Sequence, residues 1–310
     1  MVGPGGQYQT ITAAVTAANA DTDPGSYYDI QVVPGTYTND FPHVTRPMTI
    51  EVNPGLSGQQ VVLQATVGLP NEKGIILTDA NLTVNGLTFT GASIANALGG
   101  NGAGIRDQNA NSAAKLVVQN SAFTNNQEGI LTGANSDQVI TVINSSFVNN
   151  GNPDINYFQH GLYVGAVYSL TVSNSLFCGQ LIGHDIKSRA QVTMVENNQL
   201  YDGEGNSALG CAAGSTSFAV DVPNGGAATI SGNQIVQGAA TQNYKMVAYG
   251  EEGLTYSNNN LLVTGNSFTS IGTPNATAVY DPNCVPAQLS NNTFSGITTI
   301  VNPPACAVYQ

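Results

Sequence analysis

Apolar positions along this chain recur in one fixed arrangement. An aliphatic residue, a variable residue, Asn or Gly, two more residues and a large apolar residue follow one another eight times. The pattern reads VNGLTF at Val84–Phe89, VQNSAF at Val118–Phe123, VINSSF at Val142–Phe147 and VSNSLF at Val172–Phe177. It continues as VENNQL at Val195–Leu200, ISGNQI at Ile230–Ile235, VTGNSF at Val263–Phe268 and LSNNTF at Leu289–Phe294. The internal spacing is constant, whereas successive units start 34, 24, 30, 23, 35, 33 and 26 residues apart. A strand–corner–strand element repeated once per coil, with loops of variable length elsewhere, produces that combination. No coil can bury its apolar side alone, so neighbours must stack on a shared core. Asn and Gly suit the corner because both tolerate positive φ, and Asn amides can hydrogen-bond from coil to coil. The coils are too long for a hexapeptide left-handed helix. They predict an all-β fold, a right-handed parallel β-helix (solenoid) of three-stranded coils.

The N-terminus predicts a short Ala-rich capping helix over Gln9–Ala18, with Thr10 or Thr12 near its cap. A strand at Asp29–Val33 and a turn at Pro34–Tyr37 follow. A helix there would blunt the open end of the solenoid against edge pairing. With no linker visible, the chain is expected to form one domain over 1–310, about 1–40 forming the cap and first strand and about 270–310 the last coils. The opening GPGGQYQTITAAVTAA, the following IQVVPGTY and the N-S-x-F corners resemble the pectate-lyase-like superfamily of single-stranded right-handed β-helices. The resemblance covers nearly the whole chain. It speaks for fold and not for one activity, because lyases, hydrolases, epimerases and viral tailspikes share the scaffold.

Composition narrows the partners. Only 8% of residues are charged, against roughly 25% in an ordinary soluble domain. The net charge is −12 with seven basic residues, which argues against nucleic acid. No apolar run is long enough to span a membrane as a helix. An acidic ligand must therefore meet a local cationic cluster or a bound cation. Cys284 and Cys306, 22 residues apart, are placed to tie the last coil by a disulfide. Cys178 and Cys211 are the other candidate pair, and buried free thiols are the alternative for all four. Composition, possible disulfides and fold together suggest a secreted, periplasmic or extracellular protein. The oligomeric state is open.

Stacked coils place equivalent residues about 4.8 Å apart, so a site shows itself as a reactive outward row. Four segments align on their apolar residues: those beginning at His160, His184, Phe218 and Met246. With Leu162, Ile186, Val220 and Ala248 inward, the outward row is Tyr163, Lys187, Asp221 and Tyr249. A second row is Gly165, Arg189, Pro223 and Glu251. Lys187 and Arg189 are two of only seven basic residues and lie on one strand; Lys245 is a third nearby. His160 and His184 match one coil apart, either as donors or bases toward substrate or as a stacked pair facing partly inward. Asp185, Glu252 and the loop Asp202-Gly203-Glu204-Gly205-Asn206 could offer oxygen ligands to Ca²⁺, although no cofactor is required.

The first functional expectation is a polysaccharide lyase or epimerase acting on a uronate-containing glycan. The resemblance implies Lys or Arg as base and Arg or Ca²⁺ as neutraliser of the carboxylate. That casts Lys187 as base, Arg189 as clamp and Tyr163 or Tyr249 as acid, with Asp221 opposing the lowered proton affinity a Lys base needs. Asp221 paired with Asp185, Asp202 or Glu251 would instead suit an inverting hydrolase. The hydrolase branch's motifs survive only as fragments, Gly183-His184-Asp185 and Ile186-Lys187. A non-catalytic glycan-binding, adhesin or spike-type solenoid is the third class.

Overall fold

The computed structural model describes the chain except Pro24, Ser57 and residues 155–158. Its described residues form three parallel sheets of 11, 10 and 10 strands, and each strand pairs with the strand three places along the chain. Sheet I runs from Tyr28–Val32 to Ala307–Tyr309, sheet II from Gly35–Thr38 to Thr293–Ser295 and sheet III from His43–Val44 to Thr299–Asn302. This is the right-handed parallel β-helix that the repeat predicts.

The six-residue motif is the corner between sheets I and II, and its positions divide the labour. The third residue takes the left-handed conformation in every copy, as at Asn120 (φ 52°), Asn144 (φ 49°) and Gly232 (φ 66°). The fourth residue builds a ladder inside the corner. Ser121 N–H donates to Ser145 Oγ, Ser145 N–H to Ser175 Oγ and Ser175 N–H to Asn198 Oδ1. Asn198, Asn233 and Asn266 continue it, each N–H donating to the next Asn Oδ1 at 2.9 Å. Backbone donors that cannot join a sheet at the bend are thereby satisfied.

The sixth residue fills the core. Phe89, Phe123, Phe147 and Phe177 stack with ring centroids 4.9, 4.8 and 4.5 Å apart. Sheet III gives these rings room through glycine: a Cβ on Gly104 or Gly129 would lie 2.7 or 2.6 Å from Phe123 or Phe147. Leu200 and Ile235 succeed the phenylalanines in register, and the interior changes character there.

The capping helix spans Ile11–Asn19 and lays Ile11, Ala14, Val15 and Ala18 over the first strands of sheets I and III. Thr10 is its cap, accepting from Ala13 N–H, whereas Thr12 hydrogen-bonds the Asp40 carboxylate. Pro34–Tyr37 is not the expected turn: Gly35–Thr38 is the first strand of sheet II. The bend is confined to Pro34, and Thr36 and Tyr37 pair with Val62 and Leu63.

Two disulfides, Cys178–Cys211 and Cys284–Cys306, replace the free-thiol alternative. The second closes a loop over a sequence separation of 22 at the open end of the stack. Changing Cys284 and Cys306 together to serine is expected to cost about 3 kcal/mol in urea unfolding. An unchanged midpoint and slope would show that the bond does not hold the last coil.

Candidate functional site

The site is built on the outer face of sheet III. Its strands break simple alternation, and that break decides which side chains face out. In His184–Ser188 both Asp185 and Ile186 turn inward, leaving His184 and Lys187 outside. The same two-residue inward step carries Gly104-Ile105, Gly129-Ile130 and Gly161-Leu162, whose glycines meet the phenylalanine stack.

The observed register aligns Tyr163 with Lys187 and Lys187 with Asp221. These three form the expected outward row. The next member differs: Asp221 pairs with Ala248, and Tyr249 pairs with Val222. Tyr249 therefore points into the core, fully buried, its hydroxyl donating to Gly226 O at 2.6 Å. It is excluded from substrate contact. The segment Met246-Val247-Ala248-Tyr249 is apolar throughout, so its sequence carried no parity, and the expected alignment slipped by one residue.

Around Lys187 the charges interlock. Its Nζ lies 2.9 Å from Asp221 Oδ2 and donates to Glu252 Oε1 at 3.0 Å. Arg189 grips the same Glu252 carboxylate, Nη1 lying 2.7 Å from Oε2 and Nη2 donating to Oε1 at 2.9 Å. Arg189 also donates through Nε to the Tyr163 phenol oxygen at 2.9 Å and through Nη1 to Asn224 Oδ1 at 2.6 Å. Glu251, expected on the strand, lies in the turn after it, and its neighbour Glu252 occupies the clamp. Asn224 and Glu252 complete the arrangement. The sequence reading did not include Asn224, because it follows Pro223 in a loop.

Burial sets the proton affinities. Desolvation pushes the Asp221 carboxyl up, to about 7, with Lys187 pulling against it and Glu251 adding to it. The Lys187 contact, at 2.9 Å, is an ion pair. Desolvation alone would lower Lys187, yet Asp221 and Glu252 outweigh it and its affinity rises. This is opposite to what a lysine base requires. Hydrogen bonds from Arg189 and Lys187 hold Glu252 below the usual glutamate value, against its burial.

His160 and His184 are buried but lie on the outer face, not inward. Their rings stack at 4.8 Å, and Phe218 continues the stack at 5.0 Å. His160 Nδ1 accepts from His184 N–H and His184 Nδ1 accepts from Phe218 N–H. Burial drives both imidazoles toward the neutral form, His160 to about 3. Each Nδ1 is thus occupied as an acceptor, which puts the proton on Nε2. His184 Nε2 faces Asp221 Oδ2 at 3.3 Å. Both rings are donors in this state and not bases. Lys245 stands in their row two coils on, its Nζ 3.5 Å from the centre of the Tyr280 ring.

Two expected residues belong elsewhere. Asp185 and Asp202 lie inside the solenoid, in the space the phenylalanine stack vacates. Asp202 accepts from Gln237 Nε2 and Thr241 Oγ1, while neither Asp185 oxygen has a partner among the described residues. They are walled off from Asp221 by the sheet itself, so neither can form a hydrolase pair with it across a bound sugar. Nor does a Ca²⁺ fit the carboxylates on the outer face. Asp221 and Glu252 already face cationic side chains, and among the described residues no three His, Cys, Asp or Glu side chains cluster as metal ligands.

No family model matches the chain, and no curated protein matches it by sequence. Solved structures do. Pectate lyase Pel9A superposes with a TM-score of 0.50 over 95% of this chain and 72% of its own, at 16% identity. The chain shares the parallel β-helix fold of that lyase. The A-module of Azotobacter vinelandii mannuronan C-5 epimerase AlgE4 gives 0.43 at 14% identity, over 94% of this chain and 91% of the module. ORF18 of Geobacillus virus E2 gives 0.49 at 13% identity over 99% of this chain, which spans 60% of that phage protein. At such identities these likenesses concern the fold of the β-helix. Its chemistry has to be argued from the face of sheet III.

Proposed function

We propose that this β-helix is a polysaccharide lyase or epimerase that binds a uronate-containing glycan along the outer face of sheet III. One observation carries the reading: a carboxylate, that of Glu252, sits in a fork made by Lys187 and Arg189. A bidentate arginine with a second cation beside it is a geometry for carboxylates. A uronate carboxylate displacing Glu252 would inherit the same contacts.

Removing the proton next to a carboxylate builds negative charge on that group, and fixed cations there lower the barrier. Lys187 and Arg189 supply them, with Lys187 keeping its proton as the second half of the clamp. Tyr163, held by Arg189 and still partly exposed, is the group placed to exchange a proton beside the clamp. In elimination the C5–H and C4–O bonds break and a C4–C5 double bond forms. The proton goes to the base, and the leaving oxygen takes one in return. Asp221, fully buried, positions Lys187, and His184 braces Asp221. Two disulfides fit export to an oxidising compartment.

The test is a panel of acidic and neutral polysaccharides followed by ultraviolet absorbance, reducing ends and uptake of solvent deuterium at C5. Absorbance rising with reducing ends is expected for a lyase, and deuterium uptake without cleavage for an epimerase. Reducing ends without absorbance would move the protein to the hydrolases. Binding without any turnover would make it a glycan-binding solenoid.

A further inference from the structure

The row that contains Tyr163 and Lys187 continues toward the N-terminus through Leu131 to Arg106. Arg106 stands three coils from Lys187, on the order of 14 Å at the usual strand spacing. It differs from the other basic residues of this face. Lys187 and Arg189 have carboxylate partners, and Lys245 has an aromatic ring. Arg106 has no carboxylate within ion-pair distance and no side-chain hydrogen bond among the described residues, and its Nε is buried without an acceptor.

The acids around it do not neutralise it. Asp107, next in sequence, points inward and takes a hydrogen bond from Gln138. Glu128, one coil on, spends its Oε2 on His160 N–H and makes no ion pair with Arg106 among the described residues, and burial raises its carboxyl well above the usual range. Leu77 and Leu131 flank Arg106 in register and strip water from it. A guanidinium keeps its charge under such desolvation. A half-buried cation without an anion is an unfavourable arrangement unless an anion arrives from outside.

We propose that Arg106 is a second anion subsite, taking a carboxylate of the same acidic glycan several units from the one held by Lys187 and Arg189. The inference rests on the reading of the clamp given above and deepens it. The ligand then runs parallel to the solenoid axis, across Leu131 and Tyr163, and must be an oligomer, because one sugar ring cannot span three coils. A neutral glycan would leave Arg106 without an anion.

Calorimetric titration with oligogalacturonates and oligomannuronates of two and of six units tests this, with a neutral six-unit oligosaccharide as control. The unaltered protein should bind a six-unit acid more tightly than the two-unit one. Arg106→Gln should weaken the six-unit acid by about tenfold, equivalent to about 1.4 kcal/mol, and leave the two-unit acid nearly unchanged. Arg106→Lys should recover part of the loss, and both variants should melt as the unaltered protein does. Equal weakening at both lengths, or none at six units, overturns the subsite while the clamp stands. If the unaltered protein binds no acidic oligosaccharide, the clamp and the subsite fall together.

Discussion

Lys187→Ala is expected to lower turnover on an acidic polysaccharide by at least about a hundredfold, the range seen when a charge-stabilising donor is removed from an active site. It deletes half of the carboxylate clamp and leaves the buried Asp221 with the His184 ring as its one polar neighbour among the contacts described. An uncompensated buried charge typically costs about 3–5 kcal/mol. Here the Asp221 carboxyl is already raised and takes up a proton instead, which caps that penalty below neutral pH. Lys187→Met should restore much of the packing and none of the activity. Turnover and melting temperature measured on both variants separate the roles: parallel losses would make Lys187 a structural residue, and an active, stable Met variant would remove it from the chemistry.

Stability should fall as the pH rises from about 4 to about 8, the reverse of common acid denaturation. Burial raises Asp202 to about 7 and raises Asp185 well above its ordinary value, with the neighbouring Asp202 adding to the Asp185 shift. At these carboxyls the folded state binds more protons than the unfolded chain in that window, so the stability each contributes is complete below its unfolded value and lost through its folded one. The two buried imidazoles act the other way below about 6.5 and are outnumbered by the raised acids. For Asp202 the shift corresponds to about 4 kcal/mol at most. Asp107, raised to about 6, acts in the same direction. Asp185→Asn combined with Asp202→Asn should flatten the profile and raise the melting temperature at pH 8. A profile unchanged by that double substitution would mean that the interior acids do not titrate with unfolding.

The fold was legible because one motif reports three constraints at once: a left-handed corner, an amide or hydroxyl ladder and a stacked core residue. The site was only partly legible. Tyr163, Lys187 and Arg189 followed from period-two parity, because their strands mix apolar and polar residues. Tyr249 did not, since an all-apolar strand has no parity to read. The inward pair Asp185-Ile186 also hid the true side of His160 and His184, because alternation assumes no doubled step. The signal was present upstream, where Gly104-Ile105, Gly129-Ile130 and Gly161-Leu162 mark that step with a glycine packed against the stacked rings. Extending the alignment by those coils would have placed Arg106 in the row. Glu252 lies beyond the strand, and only three-dimensional proximity brings it to Arg189.

The pairing of each strand with its counterpart one coil away has a kinetic consequence. Leu116 meets Ile140 and Ile230 meets Val263, so a sheet with wholly parallel strands is assembled without any pairing that spans the chain. Loop-closure entropy is similar at each step and does not grow with the length of the protein. Folding should therefore propagate like a zipper from whichever coils pair first, and the phenylalanine stack makes the coils from Phe89 to Phe177 the natural place to begin. The part of the face that carries Lys187, Arg189, Asp221 and Glu252, assembled by the coils that follow, would be completed on a template already formed.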